Sequence, residues 1–205
     1  MSLLVQPRVP FLFIANQPCL DFINTDLVMN GQPTDLLSSF QDLVAWLVQA
    51  GLLTEKDAER IEGGGSRDEM ETLKQAKAFR RTMRDMAERL AARKPVPQAA
   101  LDLINQLLRH RLGYAQVIRR SRMFERRYEA GFEHANQMLG LLAEAASDLL
   151  CACDLSLVKQ CQNPACVLFF YDTTKNHARH WCSMNLCGNR SKVAAHYRRH
   201  RKRRT

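Results

Sequence analysis

The chain has 205 residues, of which 46% are hydrophobic and 25% charged, and a net charge of +9. That is enough apolar material for a core, which excludes a generally disordered chain, and no run of about 18 apolar residues is present to span a membrane. The opening stretch MSLLVQPRVPFLFIANQPC lacks a charged leader and is broken by Pro7, Pro10 and Pro18, so a signal peptide is not expected and a cytoplasmic protein is.

The first 35 residues read as irregular or partly extended, with Leu20-Asp-Phe-Ile-Asn-Thr25 their most patterned piece. Ser39-Phe-Gln-Asp42 is a capping box that starts a helix with Phe40, Leu43, Val44 and Leu47 inward, stopped by Gly51. Thr54-Glu-Lys-Asp57 opens a second short helix that ends at Gly63-Gly64-Gly65. The clearest helical periodicity runs from Asp68 to Arg93, carried by Leu73, Phe79, Met83, Met86 and Leu90, and Pro95 and Pro97 close it. A further helix is expected over Gln98–Leu112, with Leu101, Ile104, Leu107 and Leu108 on one side. Residues 114–128 alternate as a β-hairpin would, with Ser121 near the turn, although a helix also tolerates them. Phe132–Cys153 returns to helix. Residues 1–155 therefore read as a mainly α domain, α+β if the hairpin forms, whose core offers no obvious chemistry.

Seven cysteines are present, and in a reducing compartment such clusters indicate metal or redox chemistry before disulfides. Four are evenly placed, as Cys161-x4-Cys166 and Cys182-x4-Cys187. Two such pairs can bring four thiolates onto one tetrahedral zinc ion, with a closed, structural shell. Between them, Val167–Tyr171 is a β-type run, Asp172–Asn176 is turn-like, and Arg179-His180-Trp181 can return as a second strand. Residues 156–205 thus read as a treble-clef-like module of knuckle, β-hairpin and helix. His196-x3-His200 has the spacing of half a Cys2His2 finger, but lies too far from Cys166 and leaves Cys182 and Cys187 unexplained. The spacings do not match ferredoxin clusters. Catalysis at this zinc, with His177 or His180, would require an open coordination position. Cys19, Cys151 and Cys153 read as buried apolar thiols.

The charge is confined to this module. Residues 161–205 hold ten Lys and Arg against one acid, Asp172, for +9, while residues 1–160 hold twenty of each sign. After Cys187 a helix is expected to about Arg203. Leu186, Val193 and Tyr197 would pack on Phe169 and Trp181, and Asn189, Lys192, His196, Arg199 and Arg203 would form a polar stripe flanked by Arg190, Arg198 and Arg201. Cations on a rigid helix suit phosphates, and Arg and Asn can reach base edges. Lys175 and Arg179 add to the same face, and Arg179, Arg190 and Lys192 can offset the negative charge of a tetrathiolate zinc.

At this point the residues carry a resemblance. CQNPACVLFFYDTTKNHARHWCSMNLCGNRSKVAAHYRR closely resembles the CGNR zinc finger, through its four cysteines, Phe169 or Phe170, Asp172, Lys175-Asn176, Trp181–Met184 and Cys187-Gly-Asn-Arg190; Thr174 stands where Ser is common. Upstream, Leu20–Thr25 and the helical region resemble, more loosely, the ABATE domain that precedes this finger in bacterial proteins. The resemblance implies a stress-induced transcription regulator whose finger binds double-stranded DNA. The neutral, sensor-sized domain joined to a +9 module is expected to sense a small-molecule effector or to form a homodimer, and the resemblance adds Asp21 and Asn24 as candidates for a ligand pocket. A ribosome-associated or RNA-binding module is the alternative, and an enzyme using Asp21, Asn24 and Asp26 is the remaining one.

Overall fold

The computed structural model describes residues 10–61, 66–111, 113–121, 123–130 and 134–193. The expected mainly α architecture with small antiparallel sheets is present. The opening segment corrects the reading above, because it is ordered into a helix, α1 (Pro18–Ile23), and a hairpin of β1 (Asp26–Met29) and β2 (Gln32–Asp35). Pro18 sits in the first turn of α1, where a missing N–H costs nothing, and every other residue of the helix is buried. Burial all round gives six residues no polar face from which to read a period. The hairpin turns at Asn30-Gly31, both with positive φ (50° and 78°), the pair that a tight hairpin turn demands.

The capping box at Ser39 is made: Asp42 N–H donates to Ser39 Oγ at 3.1 Å and Ser39 N–H to Asp42 Oδ2 at 2.8 Å, starting α2 (Phe40–Gln49). Gly51, at φ 71°, ends that helix. Thr54 caps α3 (Glu55–Ile61) in the same manner. Next come α4 (Ser66–Ala91) and α5 (Gln98–Leu108), the latter a turn shorter than its apolar pattern suggested. The alternating stretch is a ribbon of β3 (Gly113–Arg120) and β4 (Met123–Ala130), with Ser121 at φ 53° in its turn. Val117, Arg119, Phe124 and Arg126 share its exposed face. The last long helix, α6 (Met138–Ala152), begins six residues later than expected, after a single 3-10 turn.

Helix α4, roughly 39 Å long at 1.5 Å per residue, is the central support. Ala76, Phe79, Met83, Met86, Ala87 and Leu90 form its buried face, against which α1, α2 and α6 pack. After α6, strand β5 (Val158–Gln160) lies along α4 and pairs with β6 (Phe169–Tyr171), which packs on α1. One buried cluster runs from Phe11 to Cys187, so the boundary expected between residues 155 and 156 falls inside continuous packing.

The same helix carries two buried guanidinium groups. Arg80, 5% exposed, holds both Asp35 oxygens at 2.7 Å and donates to Thr25 Oγ1 at 2.8 Å. Arg84 donates to the carbonyls of Ile23, Asp26 and Val167. Burial pushes the Asp35 carboxyl up, but Arg80, the Leu37 N–H and Lys77 outweigh it and hold the group at about 2. A carboxyl depressed in the folded state stabilises above its unfolded value near 4, and the contribution is lost as pH falls toward 2. Asp35 is partly exposed, so Arg80→Ala should cost about 2–3 kcal/mol in urea unfolding at pH 7, below the range for fully buried pairs. The difference between wild type and variant should shrink as the pH is lowered from 5 to 2.

Candidate zinc centre and its basic face

The two arms of the β5–β6 hairpin enclose the first cysteine pair. Cys161 N–H donates to Leu168 O at 2.9 Å, closing the base of the loop, and Cys166 N–H donates to Asn163 O at 2.8 Å, turning it. Asn163 Oδ1 also accepts from Ala165 N–H, which is the turn chemistry expected of Asn-Pro. Here the reading is corrected. The partner of Phe169–Tyr171 is the upstream strand Val158–Gln160, and Arg179–Trp181 forms no strand. The knuckle therefore sits within the hairpin instead of preceding it.

The second pair sits where a helix starts. Ser183 Oγ accepts from Leu186 N–H at 3.0 Å, and Met184–Gly188 forms a wide turn that continues helically through residues 189–193. Cys187 projects from that turn, and its N–H and that of Gly188 both donate to Ser183 O, at 3.1 and 3.0 Å. A side chain at Gly188 would come within 2.6 Å of Met184 Sδ and 3.2 Å of Trp181 Cδ1, so the end of Met184 would have to move to admit one.

The sulfurs of Cys161, Cys166, Cys182 and Cys187 all lie within 4.8 Å of one another, and Cys166 and Cys182 are 3.8 Å apart. Zinc–thiolate bonds of about 2.3 Å in a tetrahedron place sulfurs about 3.8 Å apart, so the four positions fit one structural zinc ion with no open site. Around the sulfurs, Cys182 N–H and Asn163 Nδ2 point at Cys161 and Cys187 at 3.4 and 3.2 Å, as thiolate acceptors require. Donation from Cys182 holds the Cys166 thiol down at about 5, while Cys182 is driven up by that same bond and burial pushes Cys187 up to about 11. Four thiols this close cannot all ionise unless a cation is bound. His177 and His180 contribute no ligand to the cluster.

Asp172 anchors the loop between the pairs. It is wholly buried and accepts from Lys159 Nζ at 2.6 Å, Thr174 Oγ1 at 2.6 Å, Thr174 N–H at 3.0 Å and Arg179 N–H at 2.9 Å. Burial alone would raise its carboxyl, but these donors carry it well below the usual range. Arg179 differs from expectation. Its guanidinium stacks 4.1 Å over the Phe170 ring and donates to the carbonyls of Ile14, Trp181 and Cys182, so it braces the module from within.

Asp21 and Asn24, the candidates for a ligand pocket, both hydrogen-bond to the chain's own backbone. Both are buried and line neither described cavity. Asp21 Oδ1 accepts from Ile14 and Ala15 N–H at 2.9 and 2.8 Å, which shapes the segment whose Ala15 carbonyl receives Tyr171 N–H. Burial raises the Asp21 carboxyl to about 6, against those two donors and Arg179. Asn24 exchanges two hydrogen bonds with the backbone of Phe169, at 2.8 and 2.9 Å. Asp26 offers its carbonyl to Arg84. Of the remaining thiols Cys19 is buried, as expected, but Cys151 is exposed and Cys153 partly so.

Lys175, Asn189, Arg190 and Lys192 are exposed. Val193, expected against the hairpin, is 55% exposed instead, because Trp181 packs on Gly188 one turn earlier. His196, Tyr197, Arg198, Arg199 and Arg203 lie outside the described residues. Sequence reasoning missed Arg84, Lys159 and the bracing role of Arg179. Only the isolated acid Asp172, in an otherwise cationic stretch, hinted that some cations turn inward.

Comparison with known proteins agrees with this architecture. The model of the ABATE family, described as "putative stress-induced transcription regulator", matches residues 16–152, and that of the CGNR zinc finger matches residues 158–200. Neither description is enzymatic. No curated protein matches the chain significantly. Elemental analysis should find one zinc per chain, retained at pH 7 and released as acid protonates the thiolates. Asn24→Ala should keep that zinc while lowering stability by about 1–3 kcal/mol, since both Phe169 backbone groups lose their partner in the core.

Proposed function

The chain belongs to the ABATE family and ends in a CGNR zinc finger, and from that premise we propose a bacterial, cytoplasmic transcription regulator that grips duplex DNA through the finger. The observation that carries this reading is electrostatic. The one acid among residues 161–205 is wholly buried and ion-paired to Lys159, so what the module displays to solvent is cationic. Lys175, Asn189, Arg190 and Lys192 supply its exposed donors. His196, Arg198, Arg199 and Arg203 continue the same helical spacing in the sequence.

Phosphates accept from such a face irrespective of base order, whereas the Asn189 amide has the donor and acceptor for a base edge in a major groove. Aromatic stacking platforms belong to single-strand and loop recognition, and here Phe169 and Phe170 are buried in the core, which favours a duplex. One finger covers little DNA, so the proposal includes two copies of the chain on adjacent half-sites. The N-terminal domain supplies regulation, through an effector or through that pairing.

A salt titration of duplex binding tests the reading. Affinity should fall steeply with salt, and Arg190→Ala and Arg199→Ala should each weaken binding while reducing the salt slope by about one. Absence of affinity for any duplex at low salt, or tighter binding to structured RNA, overturns it.

A further inference from the structure

Between the β1–β2 hairpin and the zinc knuckle lies a cavity of about 300 Å³, at the lower end of the range for small-molecule sites. Leu27 and Val28 of the hairpin line it together with Val167, Leu186 and the zinc ligands Cys166 and Cys187. Its lining is predominantly apolar, and Arg190 reaches it from the helix that follows Cys187. Arg190 is exposed and makes no ion pair among the described residues, and no acid lines the cavity. An apolar chamber with one unneutralised guanidinium selects a ligand with a hydrophobic body and a single anionic end.

We infer that this junction cavity binds an amphipathic carboxylate with an apolar body of about ten carbons, filled at near-interior density, whose anionic group pairs with Arg190. The inference rests on the DNA-binding reading for its consequence. Arg190 belongs to the proposed phosphate face, so a carboxylate that engages it removes one duplex contact. The apolar body meanwhile wedges between the hairpin, fixed to α4 through Asp35 and Arg80, and the turn bearing Cys187 and Arg190. Ligand and duplex are therefore antagonists, and by linkage duplex DNA weakens ligand binding by the same factor.

The experiment is calorimetric titration of the zinc-loaded full-length protein with decanoate, and with decanol as the uncharged counterpart. Decanoate should bind one per chain. Val28→Trp, which fills the cavity from a partly exposed position, should abolish binding of both probes with zinc content unchanged. Arg190→Ala should weaken decanoate at least tenfold and decanol less than twofold. Saturating decanoate should weaken duplex binding several-fold in the wild type and not in Val28→Trp. No decanoate binding, or binding unaffected by both substitutions, overturns the site. Decanoate binding that persists in Val28→Trp shows adsorption elsewhere and overturns it too, as does binding that appears only after residues 1–9 are removed, which would make the chain's own start the occupant. If the wild type binds decanoate as expected but no duplex at any salt, the site stands and the DNA-binding reading falls. If it binds duplex but not decanoate, the reverse holds.

Discussion

The side chain of Asn24 lies against the edge of β6 and takes the place of a neighbouring strand, accepting from Phe169 N–H and donating to Phe169 O. A strand in a two-stranded sheet leaves one edge unpaired, and burying that edge without partners would cost several kcal/mol. Asn24 satisfies the middle of the edge, Ala15 O receives Tyr171 N–H beyond it, and Arg84 covers Val167 O before it. All three come from the N-terminal domain. The zinc module is thereby locked onto the segment around α1 and onto α4 through hydrogen bonds to the β6 backbone, which tolerate little displacement, as well as through apolar contact, which tolerates more. A hairpin of three-residue strands does not persist in water alone. Its stability comes jointly from the metal that pins its loop and the helical domain that completes its edge.

The division of cations follows from the same geometry. Arg80, Arg84, Lys159 and Arg179 all point inward, and each ends on carbonyls or a carboxylate. Arginine suits this use because a planar fork can serve several carbonyls at once and stays charged when partly desolvated. Arg179 gains in addition from the Phe170 ring and from the thiolates of the nearby cluster. Positive charge in this protein thus has two uses. Near α4 and the β5–β6 hairpin it joins segments, and at Arg190 and Lys192 it is exposed, with no ion pair among the described residues.

Different parts of the architecture were legible in the sequence for different reasons. The four zinc ligands were readable because their spacing is a direct image of coordination geometry. The capping box at Ser39 and the turn at Ser121 were readable because both are local, decided within four residues. Helix α1 was not, since a six-residue segment buried on every side shows no period. β6 has two candidate partners at similar sequence distance, β5 before it and Arg179–Trp181 after it, and the one it pairs with is the one packed on α4, which the local sequence does not reveal. Asp21 and Asn24 were noticed as polar residues beside an apolar run, but nothing in the sequence says whether buried polar groups face a ligand or another piece of backbone. Here they face backbone. For Asn24 the distinction depends on a residue 145 positions away.

This joining of modules bears on how regulation could reach the helix. With two independent beads on a linker, an event in the helical domain would have no mechanical route to the finger. In this chain the hairpin β1–β2 and the knuckle line one cavity, and both are fixed to α4 by Arg80 and Arg84 within a single turn of each other. Cys187 and Arg190 lie three residues apart on the same helical stretch. A shift of the hairpin relative to the knuckle would therefore bear on the one helical stretch that holds both a zinc ligand and Arg190.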